Sequence, residues 1–103
     1  MINVSFSGHG GSLCGFCVCG HSGYATAGED IVCAAVSAMT MLTVNMLTDT
    51  FGLDCELKVD ENSAEIALSL KQPDALGSKI ISALRAELVC LAEEYPQNIL
   101  VKE

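Results

Sequence analysis

The chain has 103 residues, half of them hydrophobic and only 17% charged. This composition predicts one folded domain, residues 1–103, with a modest core, and it excludes a disordered chain. The 13 acidic residues outweigh the 5 basic ones and give a formal net charge of −8. That balance argues against a nucleic-acid groove, which needs clustered lysine and arginine, and it is compatible with a basic polypeptide partner.

The first residues do not resemble an export signal, because Met1 is followed by INVSFSG and not by basic residues and a long apolar stretch. We therefore expect a cytoplasmic protein whose six cysteines are reduced. The uncharged stretch from Ile31 to Thr48 approaches membrane-spanning length, but polar residues interrupt it and acidic residues flank it. We predict a buried helix there and no membrane-spanning segment.

The first half of the chain predicts two strands and a helix. Ile2 to Ser7 alternates apolar and polar residues, and Leu13 to Cys19 follows after a glycine turn, so the two segments predict a hairpin. A glycine-rich loop, Gly20 to Gly28, precedes a helix from about Asp30 to about Thr50, which Gly52 ends.

The second half repeats this order. Asp54 to Asp60 and Ala64 to Leu70 alternate around a turn and predict a second hairpin. A second helix runs from Pro73 to about Tyr95, and Ile99 to Lys102 forms a short last strand. The order ββαββαβ predicts a two-layer α+β fold, in which two main helices cover one mixed or antiparallel sheet.

The first predicted helix is apolar nearly all round. Asp30, Cys33 and Ser37 share one side of it at the spacing i, i+3 and i+7. The other side carries Ile31, Ala35, Met39, Leu42 and Met46. A helix without a charged face is normally covered on both sides, so its second cover is the other helix or a partner subunit, and we favour a homodimer.

One segment combines a candidate nucleophile with a candidate base. Cys33 lies at the predicted helix start, where unpaired backbone N–H groups and the helix dipole stabilise a thiolate and can hold an oxyanion. His21, in the loop before it, becomes the proton partner if the loop folds back. Without substrate we expect the two side chains apart. The alternative, which the residue types alone favour, is a structural cysteine and an exposed loop histidine.

Two further residues of this segment are candidate supporting residues. Asp30 caps the helix by accepting backbone N–H bonds, orients His21, or does both. Ser37 lies one turn beyond Cys33, where its hydroxyl bonds to a helix carbonyl or within the site.

The second strand carries Cys14, Cys17 and Cys19 in the pattern C-x-x-C-x-C. Thiols at this spacing bind zinc or form a redox pair. A structural zinc site needs four ligands, however, and a strand directs Cys17 and Cys19 to the face opposite Cys14. We therefore expect no metal and no cofactor, and we interpret Cys55 and Cys90 as core residues.

The segment from Gly20 to Ser37 resembles the signature of the ribosomal-processing cysteine proteases, the Prp (YsxB-like) family. That signature combines a Gly-His pair, a loop of small residues with tyrosine and glycine, and Asp-Ile-Val-Cys-Ala-Ala-Val-Ser. In this chain these features are Gly20-His21, Tyr24, Gly28 and the segment from Asp30 to Ser37. Glu93-Glu94-Tyr95-Pro96 near the end also fits, so the resemblance covers essentially the whole chain.

The resemblance implies a cysteine endopeptidase that removes the N-terminal extension of a bacterial large-subunit ribosomal protein through a Cys-His thiolate and an acyl-enzyme. It assigns the catalytic pair to His21 and Cys33, with Gly20, Asp30 and Ser37 as supporting residues. It also implies a two-layer α+β fold and a homodimer. The substrate is the ribosomal protein precursor, with no direct role for nucleic acid or membrane and no cofactor.

Two other functions remain open. The first is a catalytically silent dimeric module that binds a basic ribosomal protein or peptide. The second is a thiol redox or metal module built on Cys14 and Cys17, in the cysteine-rich strand that the family pattern does not require.

Overall fold

The structure, a computed structural model, describes residues 1–26 and 28–102. Its elements, in chain order, are β1 (Ile2–His9), β2 (Ser12–Cys19), α1 (Ile31–Asn45), β3 (Cys55–Asp60), β4 (Glu65–Leu70), α2 (Ala75–Glu94) and β5 (Ile99–Lys102). The first helix continues beyond α1 as a π-helical segment, Met46–Thr50. The predicted order ββαββαβ is confirmed. The predicted loop from Gly20 to Gly28 includes position 27, which lies outside the described residues.

The strands form one mixed sheet in the order β3-β4-β2-β1-β5. Every neighbouring pair is antiparallel except β1 and β5, which are parallel. The pairing of β2 with β4 joins the two hairpins. The end of β2 lies beside the start of β1, since Cys19 pairs with Asn3, and Ile99 of β5 pairs with Ile2. The loop after β2 therefore leaves the sheet next to the beginnings of β1 and β5.

One face of the sheet and both helices enclose a single core. Strand side chains in this core include Val4, Phe16 and Leu68, each at most 4% exposed. The helices contribute aliphatic side chains at helical spacing, Val32, Val36 and Val44 from α1 and Ile81, Leu84 and Leu88 from α2. Burying each such side chain stabilises the fold by about 1.5–3 kcal/mol, so this layer fixes where α1 begins relative to the sheet.

The other face of the sheet carries small and polar side chains. Cys17 stands between Ser5 and Ala67 in one row, and its Sγ donates to Glu65 Oε2 at 3.3 Å. Burial, this hydrogen bond and the charge of Glu65 raise the pKa of the Cys17 thiol to about 11, so the thiol stays protonated at neutral pH.

The cysteines do not form a metal site within residues 1–26 and 28–102. In that part of the chain no group of three histidine, cysteine or acidic residues could hold an ion, and all six cysteines are free. Cys55 packs against the core as predicted. The interpretation of Cys90 as a core residue is wrong, because this side chain lies on the exposed side of α2.

The first helix is half in the core and half exposed. The segment Ile31–Thr50 is long and apolar enough to cross a membrane by length and composition. Its inner side is nevertheless buried against the sheet and α2, through Val32, Val36, Thr40, Thr43 and Val44. A core helix of a soluble domain meets the same criterion, and this inner side agrees with the predicted buried helix.

Candidate active site

Asp30 caps α1 and accepts three backbone hydrogen bonds at the helix start. Its Oδ1 accepts from the N–H of Val32 at 3.0 Å and of Cys33 at 2.9 Å, and its carbonyl oxygen accepts from Ala34 N at 3.1 Å. The capping role predicted for Asp30 is therefore observed. The same contacts correct the expected oxyanion site, because the N–H groups nearest Cys33 already donate to Asp30.

Ser22 joins the loop to the start of α1, and sequence reasoning missed it. Its side chain is only 2% exposed, and its hydroxyl donates to Asp30 Oδ2 and accepts from Tyr24 N at 3.1 Å. Its backbone N–H donates to Cys33 Sγ at 3.3 Å. In the sequence, Ser22 is one of several small polar residues of a loop, which are common in turns. Its position next to His21 is the one signal that could have identified it.

Three successive loop residues are held against the ends of the strands. Gly20 has a φ of +97°, and a Cβ there would lie 2.6 Å from the Met1 carbonyl oxygen, so this position requires glycine. The carbonyl oxygen of His21 accepts from Met1 N at 2.5 Å, and that of Ser22 accepts from Asn98 Nδ2 at 3.0 Å. The backbone carrying His21 is thereby fixed beside β1 and β5.

Two cavities meet at Cys33. The larger, about 490 Å³, is lined by His21, Asp30, Cys33 and Ser37 together with small loop residues. The smaller, about 170 Å³, shares His21, Cys33 and Ser37 as walls and adds Gly20 and core side chains. The structure thus brings the other four predicted site residues to the two cavities that the Cys33 thiol lines.

The histidine and the thiol are not hydrogen-bonded to each other. His21 is exposed, and its imidazole makes no hydrogen bond to Cys33 Sγ or to Asp30 within the described residues. In this conformation, therefore, no hydrogen bond supports the predicted role of Asp30 in orienting the His21 imidazole. The Ser37 hydroxyl, exposed one turn beyond Cys33, also has no hydrogen-bond partner among these residues.

The Asp30 carboxylate is held in its ionised form. The Ser22 hydroxyl and then the Cys33 N–H lower the pKa of Asp30 from 3.8 to about 2, since both donate to the charged form. Because the folded-state pKa is depressed, this contribution to stability is complete above about pH 3.8 and is lost as the pH falls through about 2.

We expect Ser22→Ala to lower the thermal midpoint by several degrees at neutral pH, because it removes the main donor to a charged carboxylate. The difference from the parent chain should shrink as the pH approaches 2 and Asp30 becomes protonated. Thermal unfolding followed by circular dichroism at several pH values measures both effects. The matched control is Thr26→Ala, which removes an exposed hydroxyl from the same loop. A difference that is equally large at acid and neutral pH would show that the hydroxyl acts independently of Asp30.

Comparison with known proteins shows to which family the chain belongs. The family model "Cysteine protease Prp" matches residues 1–100. The chain belongs to the Prp family of cysteine proteases. The resemblance carried by the segment from Gly20 to Ser37 is confirmed.

Two solved structures document this similarity. One is an essential ribosomal processing protease Prp from S. aureus in complex with a covalently linked product peptide, at a TM-score of 0.91 and 25% identity over 99% of this chain and 98% of that one. The other is SMU.848 from Streptococcus mutans, at a TM-score of 0.85 and 30% identity over 99% of this chain and 92% of that one. No curated protein matches the sequence.

Proposed function

We propose that this Prp family member is a cytoplasmic cysteine endopeptidase that removes the N-terminal extension of a bacterial large-subunit ribosomal protein. In this proposal Cys33 is the nucleophile and His21 is its proton partner. The observation that carries the proposal is the position of Cys33 at the start of α1, with the Ser22 N–H on its sulfur and with two cavities that it shares with His21.

The other cysteines lack these features. Cys17 and Cys19 lie on strand β2 and not at a helix start, and Cys17 stays protonated. Burial raises the pKa of Cys55, and Cys90 lies on the outside of α2. Cys14 is the rival, because it lines a cavity of about 500 Å³ with His9 at another place on the sheet. Its sulfur, however, has the Ser7 hydroxyl at 4.0 Å as its contact and lies within a strand, where a helix dipole does not stabilise a thiolate.

The proposed mechanism is acyl transfer. His21 takes the proton of the Cys33 thiol, the thiolate attacks the scissile carbonyl carbon, and the carbonyl electron pair moves onto oxygen. The C–N bond then breaks as His21 gives its proton to the leaving amine, which leaves a thioester on Cys33. Water attacks the thioester while His21 accepts its proton, and the new carboxyl product departs as the thiol is restored.

The oxyanion needs a donor other than the N–H groups that Asp30 occupies. The Ser22 N–H already points at the sulfur, so a small shift toward a substrate oxygen bound to the attacked carbon provides one. This assignment gives Ser22 a backbone role in stabilising the transition state and Asp30 a structural role in holding Ser22 and the start of α1.

The partners follow from charge and from the similar proteins. The net charge of −8 favours association with a basic ribosomal protein. The S. aureus protease carries a covalently linked product peptide, which supports a covalent route here. We propose a homodimer as the working form. The proposed chemistry needs no metal or cofactor and no contact with nucleic acid or membrane.

A cleavage assay tests the proposal. The purified chain is incubated with a large-subunit ribosomal protein precursor that carries its N-terminal extension, with and without a metal chelator. We expect a shortened protein with one new N-terminus, identified by mass spectrometry, at equal rates in both samples. A precursor that binds but remains intact would favour the silent binding module, and cleavage that the chelator abolishes would favour a metal mechanism.

A further inference from the structure

Thr40 carries a buried hydroxyl that has no hydrogen-bond partner. Its side chain is 0% exposed, and its Oγ1 is the one buried side-chain nitrogen or oxygen without a partner in the part of the chain that the structure describes. Thr43 and Thr48 of the same helix instead donate to the carbonyl oxygen four residues earlier, at 2.8 and 2.9 Å. An unpaired buried hydroxyl destabilises a fold, because it has lost its hydrogen bonds to water. A polar ligand group that reached Thr40 would remove this penalty.

The smaller of the two cavities at Cys33 leads to this hydroxyl. Thr40 lines the cavity of about 170 Å³ together with Cys33 and Ser37. These three residues follow each other at positions i, i+4 and i+7 of α1, which places them on one side of the helix. His21 and Ser37 are exposed and Thr40 is fully buried, so the cavity opens near Cys33 and closes at Thr40.

The size and the walls of this cavity limit what it can hold. Its ionisable lining residues, His21 and Cys33, both stand at the opening, so a charged side chain would lose its hydration inside without gaining a counter-charge. Cavities of about 150 Å³ hold a group the size of benzene, and this one therefore fits one side chain and not a peptide segment. The remaining walls are small or aliphatic residues, Ile2, Val18, Gly20, Val36, Ala64 and Ile66.

We propose that this cavity receives the side chain of the residue whose carbonyl carbon Cys33 attacks, and that the Thr40 hydroxyl selects an uncharged side chain with a terminal hydrogen-bonding group. This inference rests on the proposed protease function and names the kind of residue that precedes the cleaved bond. That residue stays attached to the Cys33 sulfur in the thioester, so its side chain begins beside the opening of the cavity.

The depth of the cavity favours a long side chain. A rise of about 1.5 Å per residue places Thr40 about 10 Å beyond Cys33 along α1. Glutamine and tyrosine side chains span this distance together with the thioester linkage, whereas serine and threonine are too short. Methionine and phenylalanine have similar sizes but lack the terminal polar group.

The hydroxyl can discriminate between these side chains because it lies in a dry part of the site. A polar atom that reaches Thr40 replaces an unpaired hydroxyl with a hydrogen bond, whereas an apolar side chain of the same length leaves the hydroxyl unpaired. The aliphatic walls have to rearrange to admit a side chain to this depth, as side chains commonly do on binding. Both kinds of side chain require this rearrangement, so it does not favour one over the other.

Four variants of the ribosomal protein precursor test the selection. They differ only in the residue before the cleaved bond, which is glutamine or methionine in one pair and tyrosine or phenylalanine in the other. We expect the parent chain to cleave the polar member with the higher kcat/KM in at least one pair. In that pair Thr40→Val, which keeps the shape and removes the hydroxyl, should lower the polar-to-apolar ratio of kcat/KM by about tenfold, the usual effect of one hydrogen bond.

Two further variants separate the hydroxyl from the packing of α1. Thr40→Ser keeps the hydroxyl and should keep the parent ratio to within about threefold. Thr43→Val removes a hydroxyl that already donates to the Met39 carbonyl oxygen, so it should also leave the ratio unchanged. The thermal midpoint of Thr40→Val should be at least as high as that of the parent chain, because this variant loses an unpaired buried hydroxyl.

The outcomes distinguish the selection by Thr40 from the protease function. A parent chain that cleaves neither the natural precursor nor its variants overturns both. Cleavage of the natural precursor with a preference for the apolar member in both pairs overturns the selection alone, and this result needs no variant of the chain. Ratios that Thr40→Val leaves unchanged, or that Thr40→Ser or Thr43→Val lowers as much as Thr40→Val does, also overturn the selection alone.

Discussion

Replacing Cys33 with alanine is expected to lower kcat for precursor cleavage by at least about 10⁴-fold. In the proposed mechanism the Cys33 sulfur forms the thioester, so without this sulfur only substrate binding and the oxyanion donor remain to accelerate the reaction. Alanine is a good helix former, and Cys33 is only partly buried, so α1 should keep its structure. Steady-state cleavage of the precursor measures the effect, and an unchanged thermal midpoint shows that the fold is retained.

Cys14→Ala is the matched control for this prediction. It removes the rival thiol beside His9 and should leave kcat within about threefold of the parent value. Cys14 lies in a strand and not at a helix start, and within residues 1–26 and 28–102 no backbone N–H donates to its sulfur. If Cys14→Ala abolished cleavage while Cys33→Ala preserved it, the catalytic site would lie in the other cavity.

Replacing His21 with glutamine is expected to lower kcat by about 10²–10⁴-fold, because a positioned general acid and base usually accelerates a reaction by this factor. KM should change little, because the exposed imidazole acts on protons and contributes little to binding the rest of the peptide. Separate determination of kcat and KM distinguishes this result from a loss of substrate affinity.

His9→Gln provides the control for His21→Gln. Both histidines are exposed and both line a cavity with a cysteine, but only His21 shares its cavity with the start of α1. We expect the His9→Gln variant to cleave the precursor at the parent rate. Equal losses in the two variants would mean that the assay reports folding or solubility and not proton transfer.

Local patterns predicted most of the fold. The strands alternate with a period of two, the helices have a helical period, and turn residues or Pro96 separate them, so each element could be identified from its own residues. The start of α1 at Asp30 was predictable for the same reason, because a capping side chain acts within three residues of its own position. The signature segment then indicated which helix start carries the proposed nucleophile.

The hydrogen bonds of the site could not be predicted, because they join residues that are far apart in sequence or lie in an irregular loop. The bond from Asn98 to the Ser22 carbonyl spans 76 positions and exists only because β5 pairs beside β1. The bond from the Ser22 N–H to Cys33 depends on the path of a glycine-rich loop with little periodic pattern. The prediction for Cys90 was wrong for a different reason, because it rested on residue type alone. Cys90 lies two residues after the buried Leu88, about 200° around the helix, and therefore faces away from the core.

Stoichiometric alkylation tests whether the reactive thiol of this protease is Cys33. Limited iodoacetamide at neutral pH is followed in parallel by peptide mass mapping and by the remaining rate of precursor cleavage. We expect activity to fall in proportion to carbamidomethylated Cys33, while Cys17, whose pKa is raised to about 11, stays unmodified. A protein that is fully carbamidomethylated at Cys33 and still cleaves the precursor at the parent rate would contradict it.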